Sequence, residues 1–408
     1  MQRDQTPADV TNAFSRHLVY DKIFCHLSPA SLIRVGRTSK STFAAIEDFS
    51  YRAFDINRSL SRFVSDPIAF RNLQARTSAL ISGSFALQFF DRTFYPEADL
   101  DIYTPESSVR ELGDFLMNDG YVFRPNSQQQ SSFEQASERK FSMMELSDQL
   151  DNFPVVGDQL DTIDAEHLQK YKLNSILEVY TFVQPNNSPS LLKVQIIVPK
   201  ATPFQCILEY HSTCVLNLIA YNAAYSLYPY ATFERRESLT IDANDYQGVA
   251  LSKYSRRGWR VIASGSPLLL QTDEGQASLE NHFYLGQTRW TIDSKSWVIR
   301  LNTAGIRDPP PPSPSSVPIT WHPAAECSWK LIIAHGGNMT TFRMSYNNTR
   351  TGVLQHGYTI ADYDYLEMLI DFFVSQGKLE HSKVSRDKSS LNDVWTWCVS
   401  SVKLALAS

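Results

Sequence analysis

The stretch LISGSFALQFFDRTFYPEADLDIY, residues 80–103, decides how this chain is read. "SALIS" is a short apolar strand that ends at Gly83-Ser84, "FALQFF" starts a helix, and the alternation in "ADLDIY" makes a second strand. Residues i and i+2 of a strand share a face. Asp99 and Asp101 therefore project together, with Leu100 and Ile102 turned to the core. Two carboxylates at that spacing repel unless a cation lies between them. Mg2+ (or Mn2+) is the usual solution, because it takes hard oxygen ligands and shares them with phosphates. Gly83 lets the backbone turn tightly. Ser84, at a helix start, offers a hydroxyl and free N–H groups to a phosphate. This chemistry suits phosphoryl or nucleotidyl transfer, in which the enzyme positions groups and neutralises charge. The competing reading is an ordinary turn followed by two solvated acids. Each short motif alone favours that reading, and their order along strand, turn, helix and strand favours a site.

The elements continue beyond Tyr103. "TPESSVRELGDFLMNDG" predicts a helix capped at Thr104, with Gly120 as its left-handed terminator. The glutamine-rich residues 126–139 predict an exposed loop. "SILEVYTFVQ" and "LLKVQIIV" predict two strands joined by "PNNSPS". "FQCILEYHSTCVLNLIAYNAAYSLYP" reads as one long helix with an apolar stripe, which puts His211 in a core. "WRVIASG", "HFYLGQTRWTI" and "SWVIRL" read as strands, and "RRGWR" at 256–260 as a solvated basic hairpin. "DPPPPSPSSVP" is an extended linker. Aromatic strands and the helix "YDYLEMLIDFFVSQG" follow it.

"ISGS…ADLDIY" resembles the nucleotidyltransferase superfamily of DNA polymerase beta, poly(A) polymerases and antibiotic nucleotidyltransferases. The residues that carry the likeness are Gly83-Ser84 and Asp99-Leu100-Asp101-Ile102. The segment also looks like proteins of mushroom-forming fungi with this fold. The resemblance covers about residues 66–230 and implies an α/β (α+β) fold, a mixed sheet flanked by helices. It implies Asp99 and Asp101 as catalytic metal ligands for Mg2+ or Mn2+, and a nucleoside triphosphate as substrate. The chain departs from the family twice. The spacer of 14 residues, 85 to 98, is slightly long. The third family carboxylate belongs on a later strand, where "LLKVQIIV" offers Gln195. Glutamine binds a metal weakly through its carbonyl and cannot take a proton near neutral pH. Glu178 is a substitute on the neighbouring strand. Arg92, in the spacer, is a candidate for the triphosphate, as is Lys193, two residues from Gln195 and on its face.

"YDKIFCHLSPASLIRVGRTSKSTFAAIEDFSYRAF" resembles an F-box through Ile23, Leu27, Ser28, Pro29, Leu32, Ile33, Val35, Ser39, Lys40 and Phe43. That resemblance implies docking of residues 17–54 on the adaptor of cullin-type ubiquitin ligases. The competing reading is a helical cap on the next domain. The resulting organisation is a helical module at 1–65, a nucleotidyltransferase-like domain at 66–305, a proline-rich linker at 306–318 and a C-terminal α/β module at 319–408.

The formal net charge of −5 over 408 residues does not invite nucleic acid, although it does not exclude it. The polar N-terminus predicts no secretory leader, and no apolar run predicts a membrane span. Five scattered cysteines without zinc spacing fit a reduced, intracellular setting, cytoplasmic or nuclear. Two functions from different classes follow. One is metal-dependent nucleotidyl transfer to an unknown acceptor. The other is an F-box adaptor whose transferase-like domain, weak or inactive, has become a binding module.

Overall fold

Chain order and hydrophobic pattern put short strands and helices in alternation, and the computed structural model assembles them around one large mixed sheet. It describes residues 14–138, 175–185, 192–241, 248–263, 272–309, 322–336, 339–349, 356–369 and 371. The proline run from residue 310, the "NNSPS" turn, the end of the last helix and Cys398 lie outside the described residues.

Three helices come first among the described residues: α1 (His17–Phe24), α2 (Pro29–Gly36) and α3 (Lys40–Ala53). Ser28 caps α2 by accepting from the Ser31 N–H, with Pro29 at the first helical position. Ser39 and Thr42 form a reciprocal capping box on α3. Tyr20, Phe24, Leu32, Ala45 and Phe49 make a small core of their own. The short α4 (Ile56–Leu60) belongs elsewhere, since Phe54, Ile56 and Leu60 join the main core. The helical module thus ends near Ala53.

The main sheet is built from α5 (Pro67–Thr77), β1 (Leu80–Ser82), α6 (Gly83–Asp91), β2 (Leu100–Tyr103), α7 (Val109–Asn118), β3 (Val122–Arg124), α8 (Phe133–Ser137), β4 (Ile176–Val183), β5 (Lys193–Pro199), α9 (Pro203–Leu208), β6 (Asn217–Ile219) and β7 (Ala223–Ser226). A later strand, β11 (Trp297–Arg300), completes it, and the order is β11-β7-β6-β1-β2-β5-β4-β3. Only β2 and β5 pair in parallel; every other neighbouring pair in this sheet is antiparallel. Helices α6, α7 and α9 pack on the central strands. Helix α7 ends as the sequence predicts. Gly120 has φ +90°, the Gly120 N–H donates to Met117 O, and the Tyr121 N–H donates to Leu116 O.

Three expectations are corrected here. The long helix over "FQCILEYHSTCVLNLIAYNAAYSLYP" is the short α9, a 3-10 turn at Thr213–Val215, and the strands β6 and β7. Its residues are buried all round, and a short, fully buried apolar run has no period that separates strand from helix. The glutamine-rich segment is not simply an exposed loop. Residues 126–132 are the expected, largely exposed loop, but Phe133–Ser137 folds into α8, and Phe133 packs against Phe123, Tyr180 and Phe182. Gly113 makes the room, because a Cβ there would lie 2.0 Å from the Phe133 ring. "RRGWR" is no solvated hairpin. It closes α10 (Gly248–Arg256) and enters β9 (Arg260–Ile262), which pairs in parallel with β8 (Glu237–Leu239); Trp259 is buried and donates to Thr232 O.

The C-terminal part contains α11 (Asp273–Asn281), β10 (Thr288–Trp290), β12 (Ser328–Gly336), β13 (Met339–Ser345), β14 (Asn347–Thr349) and β15 (Tyr358–Ile360). Strands β10, β12 and β13 form a small sheet, β14 and β15 a ribbon, and residues 363–369 a helix. Trp329, Leu331, Phe342, Tyr358 and Ile360 share one continuous core with the main sheet. Among the described residues no helix is long and apolar enough to cross a membrane.

Candidate functional site

Strand β1 runs straight into α6 with no linker, so the turn falls on Gly83. Its φ of +68° lies in the left-handed region, which glycine alone enters at little cost. A Cβ at Gly83 would stand 2.4 Å from Asp101 Oδ2 and 3.6 Å from the Tyr210 hydroxyl. The turn and the acid strand are therefore built against one another. Ser84 follows, fully buried, in the first turn of α6.

Strand pairing arranges the polar residues. Asp101 stands opposite Gln195 in the parallel β2–β5 register, and Gln195 stands opposite Thr181 on β4. Asp99 precedes the first register pair by one residue, as Lys193 does on β5. Alternation puts Asp99 and Asp101 on one face, with Lys193 and Gln195 beside them, as a square of four polar residues. Its first side is closed: Lys193 Nζ lies 2.6 Å from Asp99 Oδ2. On the second side, Gln195 Nε2 donates to Thr181 Oγ1 at 3.4 Å, and Gln195 Oε1 has no hydrogen-bond partner among the described residues.

The square is covered rather than solvated. Asp101 is 2% exposed, and Asp99 and Gln195 are buried too. The expectation that only Leu100 and Ile102 face a core is too simple, because every residue of β2 is buried. The Tyr103 and Tyr210 hydroxyls hydrogen-bond each other beside the turn. Burial pushes the Tyr103 phenol well above its ordinary range, and Tyr210 and the Asp101 charge add to the effect. Arg62 supplies a second positive charge nearby. Burial lowers its pKa, and Asp99 and Glu97 oppose that shift. Arg62 also donates to the Tyr95 and Pro96 carbonyls. Arg257 lies 3.8 Å over the Tyr95 ring and pairs with Glu97. The long spacer between α6 and β2 is thus clamped from both sides.

Two sequence candidates lie away from the square. Arg92 sits at the far end of α6 from Ser84. It donates to Phe24 O and Leu27 O and lies over the Phe49 and Phe54 rings. It joins the N-terminal helices to the sheet, and a triphosphate at Ser84 is out of its reach. Glu178 is no stand-in for the missing acid. It pairs across from Val198, three residues along β4 from Thr181, so its side chain takes the opposite face. There it accepts from Gln129 Nε2. His211 is fully buried in a loop before the 3-10 turn, near Tyr254, and not on a helix. Tyr210, Tyr103 and Arg62 were missed from sequence. The Glu209-Tyr210-His211 polar break inside an apolar run was the one available signal for Tyr210.

Asp99 and Asp101 are hard oxygen ligands of the kind Mg2+ takes together with phosphates, but an ammonium already sits on Asp99. Among the described residues no group of three or more His, Cys, Asp or Glu is gathered to hold a metal ion. Lys193 holds the Asp99 oxygen that a metal at this site would have to take.

The N-terminal helices carry a second feature. Leu18, Ile33 and Phe43 are 71%, 52% and 53% exposed. Hydrogen bonds tie all three helices to the body. Arg92 donates to Phe24 O at the end of α1 and to Leu27 O in the following loop, Glu234 accepts from the Ser28 hydroxyl and the Ala30 N–H at the start of α2, and Asn302 Nδ2 donates to the Tyr51 hydroxyl of α3. No family model, curated protein or solved structure matches this chain.

Proposed function

We propose that this chain is a nucleotidyltransferase-like protein whose β1–α6 turn binds a nucleoside triphosphate, with transfer weak or lost. The observation that carries the reading is the contact between turn and acid strand: Gly83 at φ +68° closes on Asp101, and Ser84 opens the helix beside it. Helix N-termini favour phosphate. Gln195 Oε1 is a buried acceptor, which a ribose hydroxyl or a base amine satisfies. Gln195, opposite Asp101, stands where the family resemblance expects a carboxylate, and an amide cannot accept a proton. This is the physical reason to expect binding without fast transfer. A thermal-shift series with the four nucleoside triphosphates, in Mg2+ and in EDTA, tests it. One nucleotide should raise the melting temperature, as selective binding to the folded state requires. The shift should vanish in Ser84→Asp, which sets a carboxylate among the phosphate-binding amides. A folded wild-type protein that responds to none of the four sinks the reading.

The exposed apolar residues favour a second, compatible role. Leu18, Ile33 and Phe43 fit docking of the F-box-like helices on a ubiquitin-ligase adaptor, which makes the sheet domain the module that holds a substrate. Purified adaptor should bind the wild-type chain and lose at least tenfold in affinity against Ile33→Asp, Phe43→Asp. Equal binding to both proteins contradicts the role.

A further inference from the structure

We propose that Lys193 is the site's built-in cation: its ammonium takes the charge position that a divalent metal needs, and the nucleotide site works without metal. This inference rests on the nucleotide reading above and concerns what neutralises its charge. Four observations carry it. Lys193 Nζ lies 2.6 Å from Asp99 Oδ2, so a metal on that oxygen must first displace the ammonium. The pair is fixed by the sheet, because Lys193 and Asp99 are neighbours across the parallel β2–β5 pairing. Both side chains are largely covered, 19% and 9% exposed, so water does little to screen them. Gln195, opposite Asp101, is neutral and adds no negative charge to the site. With the Lys193 ammonium on Asp99, the local charge that would attract a divalent ion is reduced. Arg62, close enough to feel the Asp99 charge, adds to the positive side. A lysine ammonium is a compact point charge with three donors, suited to a phosphate as well as a carboxylate. A triphosphate entering at Ser84 can share it with Asp99.

The test is Mn2+ binding, followed by the electron-paramagnetic-resonance signal of free Mn2+. Wild type is compared with Lys193→Ala, with Lys193→Met, which keeps most of the alkyl stem, and with Lys193→Arg, which keeps the charge. Circular dichroism checks that each is folded. The folded neutral variants should bind Mn2+ at least tenfold more tightly than wild type. Adding Asp99→Asn should abolish the gain, and Lys193→Arg should behave as wild type. Wild-type affinity equal to that of Lys193→Met overturns the proposal, as does the absence of any gain in a folded neutral variant. A second reading uses wild type alone: its affinity for the triphosphate should change less than twofold between EDTA and Mn2+. A tenfold loss in EDTA overturns the proposal. Absence of nucleotide binding under both conditions defeats the nucleotide reading instead, while the Mn2+ comparison still judges the lysine.

Discussion

Two glycines with different physics sit near the centre of the fold. Gly83 is required by its backbone and by Asp101 together, since φ is +68° and a Cβ would meet Oδ2 at 2.4 Å. Gly83→Ala should cost about 1–3 kcal/mol in urea unfolding and abolish nucleotide binding. Gly113 has ordinary helical backbone, and its need is purely one of space. Gly113→Ala should cost about 1–3 kcal/mol through overpacking against Phe133. Phe133→Leu in the same chain should recover part of that loss, as coupled neighbours do. Simple additivity of the two changes contradicts the steric account. Gly83 was legible in the sequence because it stands at a strand-to-helix turn. Gly113 was not, because nothing local says that a phenylalanine twenty residues later will lie on it. Lys193 and Gln195 were legible as neighbours on a strand face. That Lys193 closes on Asp99 needed the parallel register, which no local pattern reveals.

At the scale of elements, most signals with a local mechanism were read well, and the Thr104 cap was not: a 3-10 turn at Glu106–Ser108 precedes α7, which starts at Val109, and the buried Thr104 hydroxyl caps nothing. Ser28-Pro29, the Gly120 terminator and the alternating "ADLDIY" each fixed an element through its own hydrogen bonds or periodicity. The stretch from Phe204 to Pro229 failed for a definite reason. It is buried on all sides, so an apolar count cannot separate a helix from two strands. The N-terminal helices form where the Ser28-Pro29 cap and the apolar pattern place them. Their apolar residues divide between an inward set, with Phe24 and Leu32, and an outward set, with Leu18, Ile33 and Phe43. Arg92 holds this module by donating to Phe24 O at the end of α1 and to Leu27 O in the loop before α2, with two aromatic rings beneath its guanidinium. Each such charged hydrogen bond is worth roughly 1.5–3 kcal/mol. Arg92→Ala should therefore raise amide hydrogen exchange across residues 17–36 and leave β1, β2 and β5 protected. Unchanged exchange in α1 and α2 contradicts the anchoring role.

The whole molecule joins its C-terminal strands to the main sheet through a shared core, and half-buried histidines there tie its stability to pH. His322 stacks on Tyr221 and accepts from the Ala324 and Ala325 N–H groups, which holds its ring neutral. Burial, aided by His356, brings the His322 pKa down to about 4. Burial alone brings the His356 pKa to about 4. An unfolded histidine titrates near 6.5. With both folded values depressed, the unfolded chain takes up protons first as pH falls. The contribution of these groups is whole above about 6.5 and is lost between there and about 4. Urea midpoints should hold from pH 8 to 7 and fall steadily from 6.5 to 4.5, with a shallower fall in His322→Gln. A flat profile across that window contradicts the burial of neutral histidines.

The central claim is that the turn at Gly83-Ser84, the acid pair and Lys193 form one nucleotide site. A structure of the protein with a non-hydrolysable nucleoside triphosphate, in EDTA, tests it most directly. The account predicts phosphate oxygens within hydrogen-bond distance of the Ser84 N–H or hydroxyl and of Lys193 Nζ, with a donor from ribose or base on Gln195 Oε1. A nucleotide bound elsewhere, or none bound at millimolar concentration, contradicts it.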